Sequence, residues 1–173
     1  MLAVKEGYLK QASGLFDLYN QQLYNFFAKI TYDRELAHDL TQNVFLRLIK
    51  FRHTYKEEMR FKPWIYQIAR NVFADHYRKS KTLKNDNVDI ETVGESIEDI
   101  DESIARNEQE RILYLSMDRL KMEDREILLM SKFQKMKYEE ISQVLETSVS
   151  AVKVKVHRAI KRLQTHYFEL EKI

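Results

Sequence analysis

The stretch Tyr138-Glu139-Glu140-Ile141-Ser142-Gln143-Val144-Leu145-Glu146-Thr147-Ser148-Val149-Ser150-Ala151-Val152-Lys153-Val154-Lys155-Val156-His157-Arg158-Ala159-Ile160-Lys161-Arg162-Leu163 decides how this chain is read. Ile141, Val144 and Leu145 recur on one side of a first helix, whose opening turn carries Glu139 and Glu140 where the helix dipole favours carboxylates. That pattern stops at Glu146-Thr147, and Ser148 is a good N-cap for a second helix. Val149, Val152, Val156, Ile160 and Leu163 give the second helix an apolar face at steps of three and four. Lys153, Lys155, His157, Arg158, Lys161 and Arg162 cover its other side, and no Asp or Glu occurs from Thr147 through Phe168. The uncompensated positive field suits phosphates. A solvated basic helix would carry the same charges, but two short helices coupled by a tight turn favour a helix-turn-helix that reads DNA.

The amino-terminal half repeats the helical theme. Asp33 can cap a helix in which Leu36, Leu40, Val44 and Leu48 make a stripe at four-residue spacing, leaving Asp39, Gln42, Asn43 and Arg47 outside to dock a partner or face water. The stretch from Phe51 to Phe61 lacks a helical stripe and reads as a loop, with Tyr55, Lys56 and Arg60 as its exposed candidates. Pro63 suits the first turn of a further helix. Along it Trp64, Ile65, Ile68 and Val72 face inward, while Tyr66, Arg70, Phe73 and Tyr77 share another face. Trp64 lies within the apolar face and reads as core.

Between the halves, residues 81–107 hold Asp86, Asp89, Glu91, Glu95, Glu98, Asp99, Asp101 and Glu102 against Lys81, Lys84 and Arg106, a formal charge of −5. Residues 1–80 carry +5 and residues 108–173 carry +2, which recovers the chain's +2. The small net charge therefore conceals two basic modules and an acidic tether. With 44% hydrophobic residues, three glycines and one proline in 173 residues, the expected fold is all-α. Two small helical domains, 1–80 and 108–173, are joined by the acidic linker 81–107, and the carboxyl-terminal domain contains the helix-turn-helix.

Three quoted segments resemble one family. Tyr138 to Ser142 followed by Ser148 to Ala159 resembles the promoter-reading domain of extracytoplasmic-function sigma factors of the sigma-70 family. His38-Asp39-Leu40-Thr41-Gln42-Asn43-Val44-Phe45-Leu46-Arg47-Leu48 resembles the segment with which sigma factors grip core RNA polymerase. Phe61-Lys62-Pro63-Trp64-Ile65-Tyr66-Gln67-Ile68-Ala69-Arg70-Asn71, continuing to Asp75-His76-Tyr77-Arg78-Lys79, resembles the segment that opens and holds the promoter's −10 element.

The resemblance implies a division of labour. Asp39, Gln42, Asn43 and Arg47 would bind a bacterial core polymerase, which offers its β′ clamp helices and its β subunit. Phe61, Tyr66, Arg70, Asn71, Tyr77 and Arg78 would bind the opened −10 strand, where aromatic faces replace lost base stacking and cations hold the backbone. Ser148, Ser150, Ala151, Lys153, Lys155, His157, Arg158 and Arg162 would bind the −35 duplex, with Lys155 and Arg158 weighing most in affinity. The loop before the melting helix captures a flipped base in the family, and the linker threads the RNA exit channel. An anti-sigma factor or another recruiting protein belongs among the implied partners.

Three positions depart from the family pattern. Asn43 replaces a usual glutamate, Lys155 a common arginine with its bidentate geometry, and Glu146 a common glycine at the turn.

Other classes are disfavoured by residues that are missing. There is no glycine-rich phosphate loop or nucleophile elbow, and Glu57-Glu58 and Glu139-Glu140 are adjacent pairs that diverge on a helix, so no catalytic residue is assigned. The absence of cysteine and the scattering of His38, His53, His76, His157 and His166 argue against a metal site, and no cofactor is expected. No stretch has the length of a membrane span or the order of a secretion signal, so membrane insertion is not expected and the expected location is the cytoplasm. The rival readings are a helix-turn-helix regulator that acts on duplex DNA without docking polymerase, and a helical module that sequesters another regulator. A single-strand-binding segment and a polymerase-binding face separate the sigma reading from the first, and salt-dependent DNA affinity separates it from the second.

Overall fold

The computed structural model describes residues 1–83 and 108–172, and the acidic stretch of the expected linker from 84 onward lies outside the described residues. The described residues form helices and turns without a strand. In chain order the helices are α1 Leu2–Lys5, α2 Ala12–Thr31, α3 Arg34–Lys50, α4 Phe61–Leu83, α5 Glu108–Asp118, α6 Met122–Leu128, α7 Tyr138–Val144 and α8 Val149–Glu171. Helix α4 runs three residues beyond residue 80, where the expected linker begins.

In the amino-terminal half, α2 reverses into α3 through Tyr32, which takes a left-handed conformation (φ 56°) and bonds its N–H to Ala28 O at 3.0 Å. Asp33 then caps α3, accepting from Leu36 N at 2.9 Å as its sequence position predicts. The inward stripe of α3 differs from a strict four-residue repeat. Leu40, Val44 and Leu48 are buried, but Leu36 is half-exposed while Ala37 and Thr41 go inside. The physical reason is that 3.6 residues complete a turn, so positions four apart drift by about 40° per step and the buried face must alternate threes with fours.

This stripe packs against Leu23, Phe26, Phe27 and Ile30 of α2 and against α4, whose Ile65, Ile68, Ala69 and Val72 are buried. Trp64 belongs to the same core. Its ring meets Tyr55 edge-on at 5.1 Å and lies 5.9 Å from Phe61. The segment before α4 is a loop with one 3₁₀ turn at Arg52–Thr54. Tyr55 is not an exposed loop residue as expected, because its ring fills the core beside Trp64 and its hydroxyl donates to Met59 O at 2.8 Å.

In the carboxyl-terminal half, α6 runs into a wider π turn at Leu129–Phe133, in which Gln134 N bonds Leu129 O at 2.9 Å. Glu140 reaches back to Lys137 N at 2.9 Å and fixes the start of α7. Helix α7 ends in a Schellman motif: Glu146 N bonds Gln143 O at 3.4 Å and Thr147 N bonds Ser142 O at 3.0 Å, which requires Glu146 to sit at φ 50°. Ser148 caps α8, its Oγ accepting from Ala151 N at 3.2 Å. Val152, Val156 and Ala159 of α8 are buried, while Val149, Ile160 and Leu163 are half-buried at the edge of that face.

The two halves lie against one another. Arg125 of α6 is 3% exposed and donates to Met117 O (3.1 Å), to the Asp118 carboxylate (2.8 Å) and across the interface to Ile30 O of α2 (3.4 Å). Its guanidinium also lies over the Tyr32 ring at 5.3 Å. A buried arginine survives only with its donors satisfied. Here the acceptors come from both domains.

Candidate nucleic-acid interface

The basic helix of the helix-turn-helix presents a continuous polar face. Ser148, Ser150, Lys153, Lys155, His157 and Arg158 are exposed, and Ala151 is half-exposed beside them. Two of the expected contacts are already committed. The Ser148 hydroxyl is spent on capping α8 and lies 3.0 Å from Ser150 Oγ, and Arg162 is ion-paired with the largely buried Asp124. Val154, exposed between Lys153 and Lys155, escapes a reading centred on charge, although its place off the apolar stripe was visible in the sequence. A small apolar group there can meet a thymine methyl, while the lysines meet phosphates or base edges.

Helix α4 sorts its six expected DNA contacts into two groups. Asn71 and Arg78 are exposed and Tyr77 is half-exposed, all on the solvent side. Phe61, Tyr66 and Arg70 are engaged elsewhere. Phe61 packs edge-on against Tyr19 at 5.0 Å, and Tyr66, expected on an outer face, is wholly buried, meeting Phe26 at 5.6 Å and donating to Gln134 Oε1 at 2.8 Å. Burial also pushes the Tyr66 phenol well above its ordinary value, so it stays a donor. The 100° helical step carries the Tyr66 side of α4 under the carboxyl-terminal domain, and no property of the segment alone could place that second domain. Arg70 Nε lies 2.6 Å from Glu126 Oε1, and its Nη1 donates to Val144 O at 3.3 Å.

Beside Asn71 the surface opens into a recess of about 260 Å³ lined by Phe51, Thr54, Trp64, Gln67, Ile68 and Asn71. Such a volume lies below the range of about 300 to 1,000 Å³ that takes drug-sized ligands. It combines an aromatic floor, an exposed aromatic at Phe51 and amide groups on Gln67 and Asn71. Lys50 Nζ sits over the Phe51 ring at 5.3 Å, a cation next to a stacking surface. Phe51, Thr54 and Gln67 did not emerge from the sequence pattern, because α4 and the 3₁₀ turn must first be packed together to bring them to one rim.

On α3, Asp39, Gln42 and Asn43 are exposed and share a face with Leu46, which is 71% exposed. Phe16, also exposed, meets the Phe45 ring in a tilted contact at 4.8 Å. Arg47 was expected outside with them but is half-buried, its Nη1 2.6 Å from Asp75 Oδ2. Asp75 also pairs with Arg78, and these hydrogen bonds from Arg47 and Arg78 hold its carboxyl below the usual range. Arg47 is therefore a strut between α3 and α4.

Residues 15–82 match sigma-70 region 2 and residues 110–163 match sigma-70 region 4. The ECF RNA polymerase sigma factor SigM of Bacillus subtilis is 30% identical over 154 residues, covering 88% of this chain and 93% of that protein. The chain belongs to the extracytoplasmic-function sigma factors of the sigma-70 family. SigX of Bacillus subtilis is 29% identical to this sigma factor over 157 residues, covering 88% of this chain and 81% of the relative.

Two solved structures share the fold. One is RpoE of Bartonella quintana bound to the anti-sigma factor NepR, with a TM-score of 0.71 and 21% identity over 91% of this chain and 96% of that one. The other is CnrH bound to the cytosolic domain of CnrY, at 0.70 and 16% over 95% and 92%. As a member of this family the chain is an alternative sigma factor that works with core RNA polymerase on promoter DNA. The region 2 match removes support from the regulator that acts on duplex DNA alone.

Proposed function

We propose that this sigma factor docks on core polymerase through the α3 face of Asp39, Gln42, Asn43 and Leu46, and captures one unpaired −10 base in the recess beside Asn71. The observation that carries this reading is the recess itself, whose lining combines the rings of Phe51 and Trp64 with the amides of Gln67 and Asn71, with Lys50 Nζ over the Phe51 ring. An extruded base regains stacking of about 1 to 3 kcal/mol on an aromatic surface, and Asn71 and Gln67 offer donors and acceptors to its edge. Phe51 and Trp64 supply the apolar contact, and Lys50 and Arg78 hold the adjoining backbone. In the other domain Ser150, Ala151, Lys153, Val154, Lys155 and Arg158 face the −35 duplex.

The chain supplies no catalysis under this reading, and nucleotidyl transfer is the polymerase's. It acts in the cytoplasm; no helix among the described residues is long and apolar enough to cross a membrane. An anti-sigma protein is a further partner, as NepR is for RpoE.

The test is transcription reconstituted from purified protein and core polymerase on a fragmented genomic library, with RNA 5′ ends mapped. Starts sharing a paired upstream motif are expected. Asn71→Ala should then change the preferred base at one −10 position while core binding is retained; an unchanged motif would remove the recess from the assignment.

A further inference from the structure

We infer that the described arrangement is a closed state in which the carboxyl-terminal domain occupies the place of the −10 strand, and that Glu126 is the latch that holds it. The inference rests on the sigma-factor reading of α4. Arg70 is one of the cations assigned to the melted strand, and its Nε is 2.6 Å from Glu126 Oε1 with Nη1 3.3 Å from Val144 O. Gln67, at the rim of the recess, donates to Gln143 O at 2.9 Å. Lys62 donates to Gln134 O at 2.9 Å, and the buried Tyr66 hydroxyl donates to Gln134 Oε1 at 2.8 Å. Along successive turns α4 thus gives its polar groups to α6, to the segment after the π turn and to the end of α7. A nucleic-acid strand lying along the Tyr66–Arg70 side of α4 would have to displace all of them.

Glu126 answers two DNA-binding surfaces at once. Its carboxylate pairs with Arg70 from the −10 helix and also feels the positive field of Lys155 on the basic helix. A buried carboxylate is costly unless compensated. Lys155 belongs to the same half as Glu126, whereas the Arg70 ion pair exists only while the halves are together.

The proposed polymerase face is left open. Asp39, Gln42, Asn43 and Leu46 remain on the surface while Tyr66 is buried and the half-exposed Arg70 is held by Glu126 and Val144 O. The molecule is therefore built to meet polymerase before DNA, and the opening that frees Arg70 follows docking. A ligand that binds only the open form loses apparent affinity in proportion to the open fraction.

The chain contains no cysteine, so two introduced cysteines carry labels uniquely. Spin labels at Asp17→Cys and Gln164→Cys, both exposed and outside the assigned surfaces, report the separation of the halves by double electron resonance. One narrow distance distribution is expected in the free protein, and a broad, longer one in Glu126→Arg, which sets three cations against each other. The charge swap Arg70→Glu with Glu126→Arg should restore the narrow distribution. Gln134→Ala, which removes the acceptor of Tyr66 without adding charge, should broaden it in part and guards against misfolding of the charge variant.

Addition of core polymerase to the unmodified latch should lengthen the distance before any DNA is present. In reconstituted transcription Glu126→Arg should reach half-maximal initiation at severalfold lower concentration than the parent. A free protein already broad, or a distribution that neither Glu126→Arg nor Gln134→Ala changes, overturns the latch even if initiation proceeds. Failure of every variant and the parent to bind core or initiate overturns the sigma-factor reading instead, whatever the distances show.

Discussion

Residues of one charge and one helix face do different work here. Lys155 and Arg158 point into solvent, whereas Arg162, one turn further on, is bound to Asp124. Replacing Lys155 and Arg158 together by alanine should lower the slope of log affinity against log salt by about 1.8, since each lost phosphate contact accounts for about 0.9. Arg162→Ala should leave that slope in place and lower the thermal midpoint. Filter binding across a salt series and a melting curve for each variant check both statements. Reversal of charge at Lys155 and Arg158 should also abolish promoter-specific initiation while core polymerase is still captured in a pull-down. Loss of both activities together would contradict the modular assignment.

Asp75 gives a pH-dependent prediction with a fixed sign. Its carboxyl is held below its ordinary value of 3.8 by hydrogen bonds from Arg47 and Arg78. A depressed carboxylate contributes stability that is present above the unfolded value and is lost as pH falls through the folded one. The stability difference between parent and Asp75→Asn should accordingly be constant from neutral pH down to about 5, begin to shrink around the ordinary carboxyl value of 3.8 and be lost only as pH falls through the lower folded value, as read from denaturant melts along a pH series.

Among the elements, the turn between α7 and α8 shows where sequence and conformation disagree. Glu146 occupies a left-handed position, φ 50°, that the Schellman end of α7 demands and that glycine fills without a Cβ penalty. Glu146→Gly should raise the stability of the protein by about 0.5 to 1 kcal/mol, because the relief of left-handed strain outweighs the added freedom of the unfolded chain. A denaturant midpoint that falls would show that the glutamate makes a compensating contact in solution. The ends of α3 and α8 were by contrast legible in advance. Asp33 and Ser148 each stand just before an apolar-periodic run, and each accepts the backbone hydrogen bond that its position predicts. Periodicity likewise placed Trp64, Ile65, Ile68 and Val72 inside. It misplaced Tyr66, since that aromatic lies off the inward stripe of its own helix and is buried between Phe26 of α2 and Gln134 of the other half.

For the molecule as a whole, the contact between halves should make unfolding a single event. Trp64, the one tryptophan, reports the amino-terminal core, while far-ultraviolet circular dichroism reports helices in both halves. Their denaturation curves should coincide in the parent protein and separate in Glu126→Arg, whose domains no longer share the Arg70 ion pair.

By itself the sequence determined what depends on neighbours in the chain. Helix period, caps, the basic face of α8, the three segments that resemble sigma factors and the charge contrast between modules and linker are all local or compositional properties. The tertiary structure decided which of those side chains are free. Arg47, Tyr66 and Arg70 look outward on their own helices, yet each ends on a partner from another element: Asp75, Gln134 and Glu126. The recess beside Asn71 exists only where the 3₁₀ turn meets α4. Pairing across distant elements is set by how helices pack against one another, and a one-dimensional pattern records only the faces available for packing, not their partners.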